Sequence, residues 1–235
     1  MKRPDSIVMF DFDGVLADSL DSFCAAMEEA FSGIGRPDLA TREQVLTLLD
    51  DNWFVSLARA GVTAAEARTV EDLFAAALSP PALLRCFAGV PAMLARLAQR
   101  HLLLVITSST AAIVNGFLAA HELAGIEQVM GAEVDTSKVR KIETVVATHE
   151  RAARYWYVGD TTGDILEGRK AGVGTIGVAW GWHGAERLRT VSPDHLAGTP
   201  QELAELIDGC RRRRPTRDRG PARGGRRRRR PAPSR

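Results

Sequence analysis

Ile7-Val8-Met9-Phe10-Asp11-Phe12-Asp13-Gly14 joins four apolar residues to two acids and a glycine. A short, unbroken apolar run is what a strand covered on both faces of a parallel sheet requires. In open α/β sheets, ligands gather at the carboxyl ends of such strands, and Asp11 and Asp13 fall at that end. Two carboxylates there lose hydration and repel each other unless a cation or a substrate proton offsets them. Read alone, the pair also suits a strand end that caps a turn. If it does chemistry, a metal is its natural partner. Gly14 lets the backbone turn without a Cβ in the way, and Asp18-Ser19 offer N-cap side chains for a following helix.

Downstream, Leu20, Phe23, Cys24, Met27 and Phe31 recur at three- and four-residue spacing and predict a helix with one apolar face, stopping near Gly33-Ile34-Gly35. Thr41 with Gln44, and Thr63 with Glu66, have the spacing of a capping box. Residues 19–80 therefore read as several amphipathic helices without a strand, interrupted at Gly61 and ended by Pro80-Pro81. Gly89-Val90-Pro91 then starts a helix to about Arg100, followed by a buried strand over Leu102–Ile106. A helix over 111–121 and a weaker strand near 128–132 come next, and then Asp135-Thr136-Ser137-Lys138-Val139-Arg140-Lys141 opens a helix to about Glu150. Strands at Tyr155–Val158 and Thr175–Ala179 and a helix over 201–208 complete the pattern. Alternating strands and helices predict an α/β fold: a Rossmann-like parallel sheet flanked by helices, with an inserted helical cap. The expected division is a core of residues 1–15 and 84–210, a cap of 16–83 and a tail of 211–235.

The chain has 235 residues, enough for one such domain with an insert, and 45% are hydrophobic. It has no run of 18 apolar residues and its start lacks the apolar core of a signal peptide, so the expectation is a cytoplasmic protein without a membrane span. Cys24, Cys86 and Cys210 show no C-x-x-C spacing and read as small buried residues in a reducing compartment. His101, His121, His149, His183 and His195 show no metal-ligand spacing and read as structural. The net charge of +2 conceals an asymmetry: the tail holds 13 Arg and one acid, leaving 18 basic and 28 acidic residues in 1–210.

Polar clusters follow three of the predicted strands: Asp11 and Asp13, Thr107 and Ser108, Asp160 and Asp164. The chain has four lysines, and two of them, Lys138 and Lys141, open the helix after the weak strand. Carboxylates, hydroxyls and a cation converging at one sheet edge suit magnesium-assisted chemistry on a phosphate. Magnesium prefers oxygen ligands, one or two from protein carboxylates beside phosphate and water. Hydroxyls and Lys can hold phosphoryl oxygens.

The Asp11-Phe12-Asp13-Gly14-Val15-Leu16-Ala17-Asp18-Ser19 segment, Val105-Ile106-Thr107-Ser108-Ser109, Lys138 or Lys141, and Gly159-Asp160-x-x-x-Asp164 together resemble the four motifs of the haloacid dehalogenase-like hydrolase superfamily. The resemblance spans about Ser6 to Asp208, and overall the chain is most similar to the phosphoglycolate phosphatase branch. It implies a phosphatase with Asp11 as nucleophile, Asp13 as acid and base, and Thr107 with the Ser108 backbone on a phosphoryl oxygen. Lys138, or failing it Lys141, would neutralise charge; the family's usual Lys-Pro pair is absent here. Mg2+ would lie on the Asp11 carboxylate, the Asp13 main-chain carbonyl and Asp160, with Asp164 as a ligand or just behind. Lys170 is expected at the surface.

Within that superfamily, Asp13 favours a phosphatase or a phosphomutase of the β-phosphoglucomutase type over carbon–halogen cleavage and ion pumping. The absence of lysine from residues 15–88 disfavours the Schiff-base branch. The expected partner is a small phosphate ester that the resemblance leaves unspecified. In the cap, Asn52, Trp53, Phe54 and Arg59 are possible substrate contacts, although Trp53, Phe54 and Leu57 read first as cap core. The Arg-rich tail lacks the apolar residues to order itself and has no aromatic residue for base stacking. It reads as a solvated extension ahead of a nonspecific nucleic-acid contact, the alternative being a binding function. Oligomeric state is not legible.

Overall fold

The computed structural model describes residues 4–51, 53–77, 84–149 and 152–210. The Arg-rich tail, Asn52 and the end of the expected cap at residues 78–83 lie outside the described residues.

Six parallel strands form the central sheet: β1 (Ile7–Phe10), β4 (Leu102–Ile106), β5 (Ile126–Met130), β6 (Tyr155–Gly159), β7 (Gly174–Val178) and β8 (His195–Ala197). Their order is β5-β4-β1-β6-β7-β8. β1 therefore lies between β4 and β6, with Phe10 level with Val105 and Val158. This register brings the chain segments after these three strands together.

Alternation along the strands divides two apolar layers. Val8, Phe10, Leu103, Val105 and Val158 face one core with α5 (Val90–Leu97), α6 (Ala111–Ala120) and α10 (Pro200–Gly209). Ile7, Met9, Leu104, Ile106 and Tyr157 face the other with α7 (Lys138–Thr148). All four residues of β1 are fully buried, at roughly 1.5–3 kcal/mol of transfer free energy for each large side chain. β1 is thus the strand least able to shift.

Residues between Ala17 and Cys86 leave and rejoin the core on a two-stranded antiparallel ribbon, β2 (Ala17–Asp18) and β3 (Arg85–Cys86). Between them run α1 (Leu20–Gly33), α2 (Arg42–Leu48), α3 (Trp53–Arg59) and α4 (Ala64–Ala77), with a 3-10 turn at Pro37–Leu39. Met27, Ala30, Phe31, Val45, Leu48, Leu57 and Val70 form a third cluster drawn from this segment alone. α1 spans the predicted range. Thr41 caps α2 by accepting from Gln44 N at 3.3 Å, and Thr63 and Glu66 make both bonds of a capping box. Gly61, at φ +79°, turns the chain between α3 and α4.

Trp53 and Leu57 pack in the helical cluster as expected, whereas Phe54 is 37% exposed. Two remaining helices, α8 (Thr162–Lys170) and α9 (Gly184–Thr190), flank β7. The β2–β3 ribbon, β8 and α9 are too short to leave a periodic signal in the sequence.

Candidate active site

β1 delivers Asp11 directly: its backbone N donates to Val158 O at 2.8 Å, extending the ladder one residue past the strand. Phe12 is fully buried and meets Phe117 edge to face, with centroids 5.1 Å apart. That apolar anchor between the two acids fixes the loop. Gly14 has φ +72°, and a Cβ there would lie 1.9 Å from Asp160 Oδ2, so only glycine lets β1's loop pass the second acid strand.

The expected site residues divide into two groups. Asp11, Lys138, Asp160 and Asp164 form one cluster. Lys138, in the first turn of α7, donates from Nζ to Asp11 Oδ2 at 2.8 Å and to Asp164 Oδ1 at 2.7 Å. Asp11, Asp160 and Asp164 each place a carboxylate oxygen within 4.8 Å of the others. Asp164 is fixed from behind: Thr161 N and Oγ1 donate to Oδ2 at 3.1 and 2.7 Å, and Tyr157 Oη lies 3.2 Å from Oδ1. Asp160 Oδ2 accepts from Trp182 N at 2.7 Å, while its buried Oδ1 has no donor among the described residues.

Asp13 stands slightly apart. Its Oδ1 accepts from Ser19 Oγ at 2.7 Å and its Oδ2 from Ser109 Oγ at 2.6 Å. Ser19 occupies the N-cap position of α1 but makes no side-chain cap bond there; its hydroxyl serves Asp13 instead. The sequence did not reveal that Ser19 and Ser109 bond Asp13 through their side chains, since a serine near a helix start or in a hydroxyl run has many uses. Thr107 closes β4, fully buried, and its Oγ1 accepts from Ser109 N at 3.0 Å; Ser108 is exposed.

Lys141, one turn after Lys138, goes elsewhere. Its Nζ donates to the carbonyls of Thr107 and Gly131 at 2.5 and 3.1 Å, tying the ends of β4 and β5 together. Lys170 is exposed, as expected.

Burial dominates the electrostatics. It pushes the Asp11 carboxyl up to about 7, against the pull of Lys138. Burial, then the charges of Asp164 and Asp11, drives Asp160 well above the carboxylate range. Burial also raises Asp13, with Ser109 and Ser19 opposing it. Asp164 alone of the four falls below its ordinary value, because Lys138 and Thr161 outweigh its burial. Burial works against the Lys138 ammonium, but Asp11 and Asp164 outweigh it and hold it charged. Burial, then the Lys138 charge, lowers Lys141 to about 8.

Three buried acids thus share one ammonium. An all-oxygen donor set with an unpartnered buried oxygen fits a hard divalent cation such as magnesium, whose charge would relieve the crowding.

A phosphoglycolate phosphatase of Synechococcus elongatus is 28% identical over 204 residues, covering 85% of this chain and 96% of its own. A 5'-nucleotidase of Pseudomonas aeruginosa is 25% identical over 217 residues, covering 86% of this chain and 95% of its own. The crystal structure of a hydrolase from Pseudomonas syringae superposes with a TM-score of 0.71 at 18% identity, covering 88% of this chain and all of that one, a likeness of fold. No helix among the described residues is long and apolar enough to cross a membrane. The sequence model of the haloacid dehalogenase-like hydrolases matches residues 8–178, which include the three strand-end clusters and both lysines of α7, and the chain belongs to that family.

Proposed function

We propose that the protein is a magnesium-dependent phosphatase that hydrolyses a small phosphate monoester through an aspartyl-phosphate on Asp11. The observation that carries this reading is Lys138 held between Asp11 and Asp164 beside the unpartnered oxygen of Asp160. A nucleophile, its neutralising cation and a vacant acceptor for a metal are then within one cluster. The family membership and the phosphatase names of its relatives support the same reading.

The Asp11 carboxylate attacks phosphorus, forming an O–P bond as the ester P–O bond breaks, which divides one difficult displacement into two easier ones. Asp13 gives its proton to the departing alkoxide. Its burial suits it to arrive protonated, and the two serines hold its carboxyl in place for the transfer. Asp13 then takes a proton from water as the water oxygen bonds to phosphorus and the Asp11 O–P bond breaks. Lys138 draws Asp11 toward its ionised form, and Thr107 with the Ser108 backbone receives a phosphoryl oxygen. Asp11, Asp160, the Asp13 carbonyl and Asp164 would hold Mg2+, which when bound offsets the charge of the phosphoryl oxygens. Residues 16–83 act as a cap that selects the leaving group, consistent with relatives named for different phosphate esters.

The test is a panel of small phosphate esters with and without magnesium, scored for phosphate release and for isomerisation. Magnesium-dependent release that Asp11→Asn reduces by about 10³-fold or more, a loss in the range for removing a nucleophile, supports the proposal. Isomerisation without release would replace it with a phosphomutase, and full activity in Asp11→Asn would overturn it.

A further inference from the structure

Three of the four acids are closed off from solvent: Asp11 is 6% exposed, Asp160 0% and Asp164 1%, while Asp13 is partly exposed. A phosphate ester reaches Asp11 only after part of the protein moves. The loop of residues 49–51, at the end of α2, sits on the first turn of α8, between Asp160 and Asp164. Gly163 N donates to Leu49 O at 3.4 Å, and a Cβ on Gly163 would lie 3.0 Å from Leu49 O and 3.1 Å from Asp51 O. Glycine is therefore what allows the loop so close.

Charged groups complete the seam. Arg187, on α9, grips Asp50 in a fork: Nε donates to Oδ1 at 2.8 Å and Nη2 to Oδ2 at 2.5 Å. Thr162 Oγ1 donates to Asp50 Oδ1 at 2.9 Å. His183 joins the two sides, its Nδ1 accepting from Thr162 N at 3.0 Å and its Nε2 donating to Leu46 O at 2.9 Å. Arg187 Nη2 reaches the same Leu46 carbonyl at 3.2 Å. A planar, bidentate Arg–carboxylate pair is both stronger and more directional than a point-charge contact. This one spans the helical segment and the core, and it shares Thr162 with the segment that carries Asp160 and Asp164.

We infer that Asp50 and Arg187 are positioning residues: through Thr162 and Gly163 their fork docks the helical segment on the first turn of α8 and holds the site closed, and substrate exchange requires that dock to release. The link to turnover rests on the phosphatase reading; the dock itself does not.

Hydrogen exchange on the full chain tests the dock without any substrate. In Asp50→Ala and in Arg187→Ala, peptides containing Thr162–Gly163 and Leu46–Asp51 should exchange at least ten-fold faster, with the β1 and β4 peptides unchanged. The double variant should exchange within two-fold of either single, because the two groups act as one unit. Asp50→Asn, which keeps shape and loses charge, should fall between wild type and Asp50→Ala, and Arg187→Lys should rescue only in part. Unchanged exchange at both seam peptides would overturn the inference, and so would equal acceleration in β1 and β4, which marks general destabilisation. In turnover, releasing the dock raises the fraction of protein open to substrate, so the KM for a phosphate ester should fall at least five-fold in Arg187→Ala while kcat changes less than two-fold. Freed amides with kcat and KM both unchanged would sever the dock from the site. If the wild-type protein hydrolyses no phosphate ester, the phosphatase reading falls and the exchange result alone decides the dock.

Discussion

The strand-end cluster and the seam over α8 are adjacent, polar and built from similar residues, yet their charges are arranged in opposite ways. At the seam each charge is answered: the Asp50 carboxylate receives Arg187 and Thr162, and His183 uses both ring nitrogens. In the cluster, Lys138 bonds Asp11 and Asp164 but not Asp160, and Asp160 Oδ1 has no donor among the described residues. A fold that satisfies a partly exposed polar region and leaves its buried neighbour short of positive charge has a use for the shortfall. The satisfied region holds position, and the unsatisfied one is shaped for a ligand that brings charge with it.

The largest expected effect comes from widening the imbalance. Lys138→Met leaves three buried acids with no cation, so the Asp11 carboxyl should climb further and the nucleophile should be ionised less often near neutral pH. Phosphate release should fall by at least about 10²-fold, in line with the loss of a preorganised charged group. Lys141→Met is the control one helical turn away. It leaves the carbonyls of Thr107 and Gly131 without their charged donor and should cost about 1–3 kcal/mol of stability, read by urea unfolding. If Lys141→Met abolished activity in a folded protein while Lys138→Met retained it, the two lysines would exchange roles.

Removing the imbalance should have the next largest effect. The Asp11 carboxyl is raised from 3.8 to about 7 in the folded protein, and burial is the first cause. The folded state therefore holds a proton that the unfolded state has released, and metal-free stability should fall as pH rises from about 4 to about 7. Magnesium competes with that proton. At one hundred times its dissociation constant it should add about 2.7 kcal/mol, and the rise in melting temperature should be larger at pH 8 than at pH 5.5. An equal shift at both values would mean that the cation binds away from Asp11 and Asp160.

How much of this the sequence disclosed follows from how local each feature is. β1 with Asp11 and Asp13 was legible because an apolar run, an acid pair and a glycine are consecutive, and β4 with Thr107 and β6 with Asp160 repeat the arrangement. Lys138 and Lys141 were harder to separate. Both open α7, and their different directions depend on which side of the helix meets the Thr107 carbonyl. The seam was not legible at all. Asp50 and Arg187 are 137 residues apart, and nothing in the spacing of either announces a partner that the fold alone supplies. The serines on Asp13 were hidden for another reason: Ser19 reads as a helix cap, and its hydroxyl is diverted to the Asp13 carboxyl.

The smallest expected effect separates two neighbouring acids. Asp50 faces the seam, whereas Asp51 pairs with Arg59, whose Nη1 lies 2.8 Å away with the two side chains 69% and 38% exposed. Arg59 is the cap residue whose charge first suggests a substrate contact. In the structure it forms a surface ion pair, and pairs of that kind contribute about 0–1 kcal/mol because solvent screens them and two long side chains must be held still. Arg59→Ala should therefore leave KM within two-fold of wild type and shift the urea midpoint only slightly, whereas Arg187→Ala lowers KM. A ten-fold rise in KM for Arg59→Ala would break the contrast. It would place Arg59 on the substrate in the working enzyme and require the helical segment to rotate far enough to exchange its Asp51 partner for a phosphate ester.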